Sequence, residues 1–212
     1  MFEAIIAYFQ QYSGTFVDSL LQHIIISGIS ILIAAGIGIP LGIFCSRSDR
    51  LYHLFTAFFG LLRVIPSLAL LFIFIPILGV GMLPAVVALV ILALPPVLIN
   101  TAISFRTLPE SVLETALGMG MDSKMIFFRV KLPLALPLIL TGIRTGTVEI
   151  IASATLAAYI GAGGLGQIIF TGLGLYRMDL LLIGGVSVAA LSLLADLLLS
   201  VLETISSRHV RS

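Results

Sequence analysis

Long apolar stretches separated by short polar segments dominate this chain. Between Ser19 and Ser46, for example, no residue is charged, and about 20 apolar residues suffice for one helical crossing of a bilayer. Five stretches reach that length, at residues 20–44, 54–78, 84–104, 134–160 and 180–201. The pattern therefore predicts an all-α polytopic membrane protein with five core transmembrane helices.

The glycine- and proline-containing segments between these stretches support five spans. The turn at 79–84 is rich in glycine and ends in Pro84, which makes the second and third spans an antiparallel hairpin. The glycine run 161–166 ends the fourth span, and the apolar piece 167–174 that follows is too short to cross. A six-span arrangement would have to count that piece or divide 131–160, so five spans are favoured.

Composition excludes other classes of protein. Hydrophobic residues make up 59% of the 212, charged residues 10%, and the mean hydropathy is +1.22. A soluble domain has about 25% charged and about 45–50% apolar residues, and disorder requires low hydrophobicity. With a net charge of +1 and no polar domain, the chain has no surface for nucleic acid. Residues 1–212 are expected to form a single membrane domain, in which the lone Cys45 has no disulfide partner.

The distribution of basic residues predicts the orientation. With five spans, eight of the eleven Lys and Arg residues fall on the side that carries segments 46–50 and 106–131 and the C-terminus. Only Arg177 lies on the other side, while Arg63 and Arg144 lie within spans. Because cytoplasmic loops carry the excess of positive charge, we expect the N-terminus outside and the C-terminus in the cytoplasm.

The longest polar segment, residues 106–131, is expected to form two short helices on that cytoplasmic side. Thr107 and Glu110 have the spacing of a capping box, and Gly118 is placed to end the first helix. Asp122 is placed to cap a second helix, which we expect to end before Pro133. The first helix carries an apolar stripe that suits either a groove on a partner protein or the membrane surface.

A sequence signature lies in the same segment. Glu114, Thr115 and Ala116 are followed by Gly120 and later by Leu132-Pro133. This spacing resembles the EAA signature of binding-protein-dependent ABC import permeases, with Thr115 in place of an alanine and Val130 in place of an isoleucine. The resemblance implies that these residues couple the chain to an ATPase.

The resemblance extends over most of the chain and implies a type I ABC importer permease fold in a bacterial cytoplasmic membrane. The region 159–174 and Leu194-Ala195-Asp196 are most similar to permeases for glycine betaine, carnitine and choline, with methionine and other amino-acid importers as the nearest alternative. The implied partners are cytoplasmic ATPase subunits, an extracytoplasmic binding protein and a second permease subunit. The chain itself is expected to lie in the lipid bilayer. The chain has no phosphate-binding loop, so ATP with its Mg²⁺ is expected on the ATPase, and the chain itself is expected to be no enzyme and to hold no cofactor or metal.

Arg63, Asn100, Arg144 and Glu149 lie within or at the ends of predicted spans and are candidates for a translocation path or for intramembrane pairing. Charge inside a bilayer is costly, so such residues either pair with one another or line a pathway. Arg144 and Glu149 are five residues apart and do not share a helix face, so each is expected to meet another helix or a second subunit.

The glycine run has two interpretations. Gly161, Gly163, Gly164 and Gly166 are candidates for an outer gate that dips into the membrane, and the alternative is an ordinary surface loop. Irregular backbone at membrane depth is permitted only where protein or water covers it.

Two other functions compete with the importer. A secondary transporter or channel predicts inverted repeats or an ion site at mid-membrane, and neither is evident in the sequence. A membrane-embedded enzyme predicts a catalytic set, whereas His23, His53 and His209 are scattered and are expected at the membrane interface.

Overall fold

The computed structural model describes residues 2–211, with side chains to residue 207. The regular structure in this range is helical. The helices are α1 (Phe2–Cys45), α2 (Asp49–Leu62), α3 (Ser67–Ile73), α4 (Ile75–Leu78), α5 (Met82–Arg106), α6 (Glu110–Gly118), α7 (Ser123–Ile126), a π turn (Phe127–Lys131), α8 (Leu132–Ala157), a 3-10 turn (Ala158–Ile160), α9 (Gly166–Gly174) and α10 (Met178–Arg211).

Four helical segments are long and apolar enough to cross a membrane singly, and a bent pair makes a fifth when its two parts are counted as one span. The single segments are α1, α5, the stretch Ser123–Ile160, and α10 through residue 207. The helix α1 is longer than predicted, since it begins at Phe2 and kinks at Tyr12, whose φ and ψ are −124° and 23°. The nine-residue helix α9 spans only about 14 Å, so it does not cross.

The second predicted span is broken. Its two parts, 49–62 and 67–78, meet at an angle of 89°. The break lies at Arg63–Pro66, because proline has no N–H to donate and disfavours helical backbone in the residue before it. The prediction of one straight span over 54–78 is therefore wrong in shape, and a crossing by the bent pair stays a prediction.

Helix α5 forms the centre of the bundle and packs against α1, α8 and the bent pair. Its contact with α8 is closest at Gly142, where an added Cβ would lie 2.8 Å from the carbonyl oxygen of Pro96. Gly42 of α1 fits against α5 in the same way, since a Cβ there would lie 2.6 Å from Cβ of Thr101. Small residues let these helix backbones approach closely, as is usual in membrane bundles.

The polar segment before α8 differs from the prediction. The second short helix does not end before Pro133 but continues into α8 through a π turn, in which the Leu132 N–H donates to the Phe127 carbonyl. Pro133 then lies at the start of α8, directly after the π turn, and the helix continues past it. Residues 123–160, named here the α7–α8 rod, thus form one continuous helical segment.

The predicted capping box is also wrong. Helix α6 begins at Glu110 after Pro109, with no side-chain cap. Thr107 instead donates its hydroxyl to the carbonyl of Ile103, 3.0 Å away, as a continuation of α5. The other predicted cap is confirmed, because the Asp122 carboxylate accepts the Met125 N–H at 2.6 Å.

Candidate functional site

The end of the bundle that carries segments 46–50 and 106–131, named here the basic face, is assembled from several elements. Arg106, at the end of α5, pairs with Asp49, and its guanidinium carbon lies 4.5 Å from the centre of the Tyr52 ring. The hydrogen bond and charge of Arg106 hold the pKa of the exposed Asp49 carboxyl below its ordinary value. The structure thus brings the first polar loop and the end of the third span together, as the predicted topology requires.

Helix α6 stands on this face with most of its surface exposed. Glu114 and Thr115 are exposed, and the Thr115 hydroxyl donates to the Ser111 carbonyl at 2.7 Å. Ala116 is the buried residue of the helix, at 2% exposure. Leu117 and Met119 are 61% and 66% exposed. An exposed helix with large apolar side chains on a polar face has the character of a contact surface.

An elbow joins α6 to the rod. Gly120 has a φ of +78°, which L side chains rarely adopt, and its N–H donates to the Leu117 carbonyl. Directly after it, the Met121 N–H donates to the Ala116 carbonyl, closing the end of α6. Leu132 and Pro133 lie further along the rod, at the start of α8, so the signature residues flank one short connection.

Two of the four intramembrane candidates meet each other. The Arg63 guanidinium donates to Glu149 Oε1 at 2.8 Å, which joins the break in the second span to α8. Their side chains retain 48% and 27% exposure, so the pair lies on a face that the rest of the described chain leaves open.

Arg144 forms the larger cluster. It donates to both carboxylate oxygens of Asp196, at 2.6 and 2.8 Å, and to Glu203 at 3.4 Å. Thr141 donates to the other oxygen of Glu203 at 2.9 Å. These contacts join α8 to α10 within the membrane. The partners Asp196 and Glu203 had not been predicted, although their spacing of seven residues places them on one face of a helix.

Asn100, the last of the four candidates, bonds within its own helix. Its amide donates to the Pro96 carbonyl at 2.8 Å, close to the contact between α5 and Gly142.

A cavity of about 440 Å³ opens beside the Arg144 cluster, lined by Thr141, Arg144, Thr145, Val148, Glu149 and Asp196. Charged and hydroxyl groups thus face an open space at a depth where lipid tails would provide no partner. This polar cavity, together with the exposed pair at Arg63, defines the charged face of α8 and α10.

Most of the glycine run, at the opposite end of the bundle, is buried, although Gly161 is exposed. Residues 162–166 are covered by protein, and the Gly164 N–H donates to Gln22 Oε1 of α1 at 3.2 Å. Gly161, Gly163 and Gly164 have φ values of +77°, +86° and +86°, and Gly166 lies so close to α8 that an added Cβ would be 2.0 Å from the Thr155 carbonyl oxygen. The sequence requires glycine here for both backbone conformation and packing.

The prediction for His23 was wrong, because its side chain is fully buried rather than interfacial. Its Nε2 lies 3.0 Å from the Ile151 carbonyl and therefore donates to it, which ties α1 to α8 just below the glycine run. His53 lies in α2 beside Tyr52, and the side chain of His209 is outside the described part of the chain.

Comparison with known proteins identifies the class that this fold and face define. A family profile described as "Binding-protein-dependent transport system inner membrane component" matches residues 38–211. The chain belongs to this family, and it is a multi-pass inner-membrane transport permease.

Individual relatives cover nearly all of the chain. It is 41% identical to the carnitine transport permease protein OpuCB of Listeria monocytogenes, over 95% of this chain and 92% of that protein. It is 38% identical to the choline transport system permease protein OpuBB of Bacillus subtilis, over 94% and 92%. Among solved structures, an inward-facing form of the MetNI methionine ABC transporter has a TM-score of 0.80 at 23% identity, covering 90% of this chain and 95% of that one. The fold is thus that of type I ABC importer permeases, as predicted.

Proposed function

We propose that this chain is the membrane-spanning subunit of an ATP-driven importer for quaternary ammonium osmoprotectants such as glycine betaine, carnitine and choline. The observation that carries this proposal is the 41% identity to a carnitine permease along almost the whole chain. A second relative at 38% identity bears the name of a choline system. The likeness to the methionine transporter, at 23% identity, supports the fold and not a substrate.

Three kinds of partner complete the proposed importer. Cytoplasmic ATPase subunits bind ATP with its Mg²⁺ and hydrolyse it, so this chain is no enzyme and holds no cofactor. An extracytoplasmic binding protein selects the substrate, and a second permease subunit, identical or related, covers the charged face. Residues 1–212 form one permease domain, whose coupling segment is 106–131.

The coupling surface is α6 with its elbow, and the basic face is cytoplasmic. Glu114 and Thr115 are exposed to the ATPase, and Ala116 anchors the helix on the bundle. Gly120 sets the direction in which α6 leaves the rod, and Leu132-Pro133 begin the part of the rod that enters the membrane. The elbow passes a displacement of α6 to the rod, and the rod is one continuous helical segment from Ser123 past Arg144 and Glu149.

The charged face of α8 and α10 is the proposed translocation path. It carries two cations, Arg63 and Arg144, and three carboxylates, Glu149, Asp196 and Glu203. The excess of negative charge suits the trimethylammonium end of an osmoprotectant. A second permease subunit that packs over the face supplies the remaining wall of the path. The ion pairs hold the helices that line it, and Asn100 bonds within α5 beside them.

The outer gate is the mostly buried run with Gly161, Gly163, Gly164 and Gly166. It lies at the extracytoplasmic end of the rod and is held by Gln22 of α1. A tilt of the rod relative to α1 would strain this hydrogen bond. Protein covers the irregular backbone, which is the condition for such a segment at membrane depth.

The substrate is tested by reconstitution. The chain, its ATPase and a candidate binding protein are placed in liposomes with radiolabelled glycine betaine, carnitine, choline or methionine. We expect ATP-dependent uptake of a quaternary ammonium compound and none of methionine. Uptake by the chain alone without ATP would contradict the importer, and uptake of methionine alone would contradict the substrate.

The coupling surface is tested by Glu114→Ala, with Glu110→Ala on the same exposed helix as the matched control. We expect Glu114→Ala to insert normally but to lose the ATPase activity that the loaded binding protein stimulates, because the contact to the ATPase is lost. Glu110→Ala is expected to keep most of it. Wild-type transport by Glu114→Ala would refute the role of α6.

The elbow is tested by Gly120→Asp against Gly118→Asp. Both positions have open space around the glycine, but only Gly120 has a positive φ. A side chain at Gly120 therefore strains the backbone by about 1–2 kcal/mol and turns α6 away from its position. We expect loss of coupled ATPase activity for Gly120→Asp only, measured in the same assay. Equal losses in the two variants would show that charge, not backbone geometry, is responsible.

A further inference from the structure

The basic face contains a cavity that lies outside the proposed path and shares Leu117 with the exposed surface of α6. Its volume is about 420 Å³, and it lies between the end of α1, the end of α5, helix α6 and the π turn. Leu113 and Leu117 of α6 and the Phe105 and Phe127 rings provide apolar walls. The two rings are stacked, with their centres 5.8 Å apart.

Two cations line the same cavity. Arg47 follows directly on the end of α1, and Lys131 ends the π turn. Within the described part of the chain neither makes an ion pair, whereas the neighbouring Arg106 is bound to Asp49. No carboxylate is among the lining residues. The cavity thus combines an apolar interior with uncompensated positive charge.

The depth of the cavity is fixed by the ends of the spans. Arg47 lies two residues beyond α1, Phe105 lies one residue before the end of α5, and Lys131 lies just before α8. Membrane helices leave the apolar layer at their ends, where phospholipid headgroups are found. The apolar walls of the cavity suit acyl chains, and the two cations at its edge suit an anionic headgroup. A phospholipid with an anionic headgroup has both parts.

We propose that this cavity binds an anionic phospholipid, with Arg47 and Lys131 on its phosphate and the beginning of its acyl chains against Phe105, Leu113 and Phe127. The volume is within the usual range of about 300–1,000 Å³ for small-molecule sites, which holds a headgroup while the remaining chains stay in the bilayer. Bound there, the lipid touches the side of α6 that does not carry Glu114 and joins α6 to the end of α1.

Lipid retention by the purified full-length chain tests the proposal directly. The chain in mild detergent is mixed with phosphatidylglycerol or with phosphatidylcholine of the same acyl chains, and bound lipid is counted by native mass spectrometry. The variant is Arg47→Gln with Lys131→Gln. The matched control is Arg50→Gln with Lys124→Gln, which removes the same charge from exposed residues of the same face that do not line the cavity.

We expect wild-type chain and control variant to retain phosphatidylglycerol several-fold better than phosphatidylcholine. The cavity variant should lose about tenfold or more in phosphatidylglycerol affinity, since each cation near an anionic headgroup contributes several-fold. A charge-preserving variant, Arg47→Lys with Lys131→Arg, should retain the preference and would show that the loss comes from charge. Elution of the cavity variant with the wild type in size-exclusion chromatography would show that it is folded.

Three results would overturn the proposal. Equal retention of the two lipids, or equal losses in cavity and control variants, would show diffuse attraction to the whole basic face. Displacement of the lipid by equimolar soluble glycerol 3-phosphate would show a site for a free anion. Loss of bound lipid when ATPase subunits are added would show that the cavity is covered by protein. Because binding is measured without transport, failure here leaves the proposed importer untouched, and failure of the importer leaves this site untouched.

Discussion

Helices α5 and α10 both cross the membrane, yet their surroundings are opposite. Within its most apolar window, α5 is 67% buried by the rest of the chain, whereas α10 is 17% buried. Helix α5 contacts α1, α8 and the bent pair, while α10 contacts mainly α8 and α9. The difference separates a helix that holds this chain together from one whose outer surface is left for lipid or for a second subunit.

The largest loss of stability is expected from a substitution in the packing around α5. Gly142→Val would place a side chain against the Pro96 carbonyl, 2.8 Å from the first added atom, and neither backbone is free to move. Overpacking of this kind costs about 3 kcal/mol or more. We expect no folded protein in the membrane fraction by size-exclusion chromatography in detergent.

Gly36→Val is the matched control, because Gly36 lies in α1 with nothing within 4 Å of an added Cβ. It should express and elute as the wild type does. A folded Gly142→Val protein would show that the contact between α5 and α8 is looser than the structure indicates.

The junction between α8 and α10 gives the next largest effect. Arg144→Met leaves Asp196 and Glu203 without their shared cation at membrane depth. A double-mutant cycle of Arg144→Met with Asp196→Asn should give a coupling energy of about 1–2 kcal/mol, near the upper end measured between membrane helices. Thermal unfolding in detergent provides the four values.

The same cycle on the exposed pair Arg106 and Asp49 should give a much smaller coupling energy, since solvent screens it. Coupling energies of equal size at the two places would mean that water reaches the Arg144 cluster as freely as it reaches the basic face.

A smaller effect is expected where the rod begins. Asp122→Ala removes the acceptor of the Met125 N–H, and loss of an N-cap costs about 1 kcal/mol. Hydrogen exchange should rise in residues 123–126 and leave α5 unchanged. Asp122→Asn, which keeps an acceptor, should exchange as the wild type does, and equal exchange in Asp122→Ala would show that the cap contributes nothing.

The smallest effect concerns pH. Arg106 lowers the pKa of Asp49 below its ordinary value of 3.8, so this carboxylate contributes stability above that value and loses it as pH falls through the lowered pKa. The difference in Tm between wild type and Asp49→Asn should therefore be constant above about pH 5 and vanish at the acid end. A difference that persists unchanged below pH 3 would show that Asp49 acts through packing and not through its charge.

The sequence predicted α5 and α10 equally well as spans, because both are long and apolar. It did not reveal which one lies inside the bundle, since mean hydropathy is similar for a helix that faces lipid and one that faces protein. The close approach at Gly142 depends on which helices are neighbours. The pairing of Arg144 with Asp196 depends on the same information, because residues 52 positions apart share no local pattern.

Local chemistry explains the remaining differences. Pro66 broke the second span, whereas Pro133 did not end a helix and lies directly after a π turn, at the start of α8. The capping box failed for a related reason, since Pro109 directs the chain into α6 and Thr107 bonds back to α5. The signature around Glu114 was recognisable from spacing alone, but the exposure of α6 required the fold.

The α7–α8 rod has a mechanical consequence. Its 38 residues extend about 57 Å, and Gly142, pressed against α5, lies near the midpoint. A rigid helix held at its middle rotates about that point. A shift of about 2 Å at the elbow then corresponds to a tilt of roughly 4° over a half-length of about 28 Å. The far end then moves about as far in the opposite direction. With Gly142 as the pivot, contacts that close at one end of the rod are expected to open at the other.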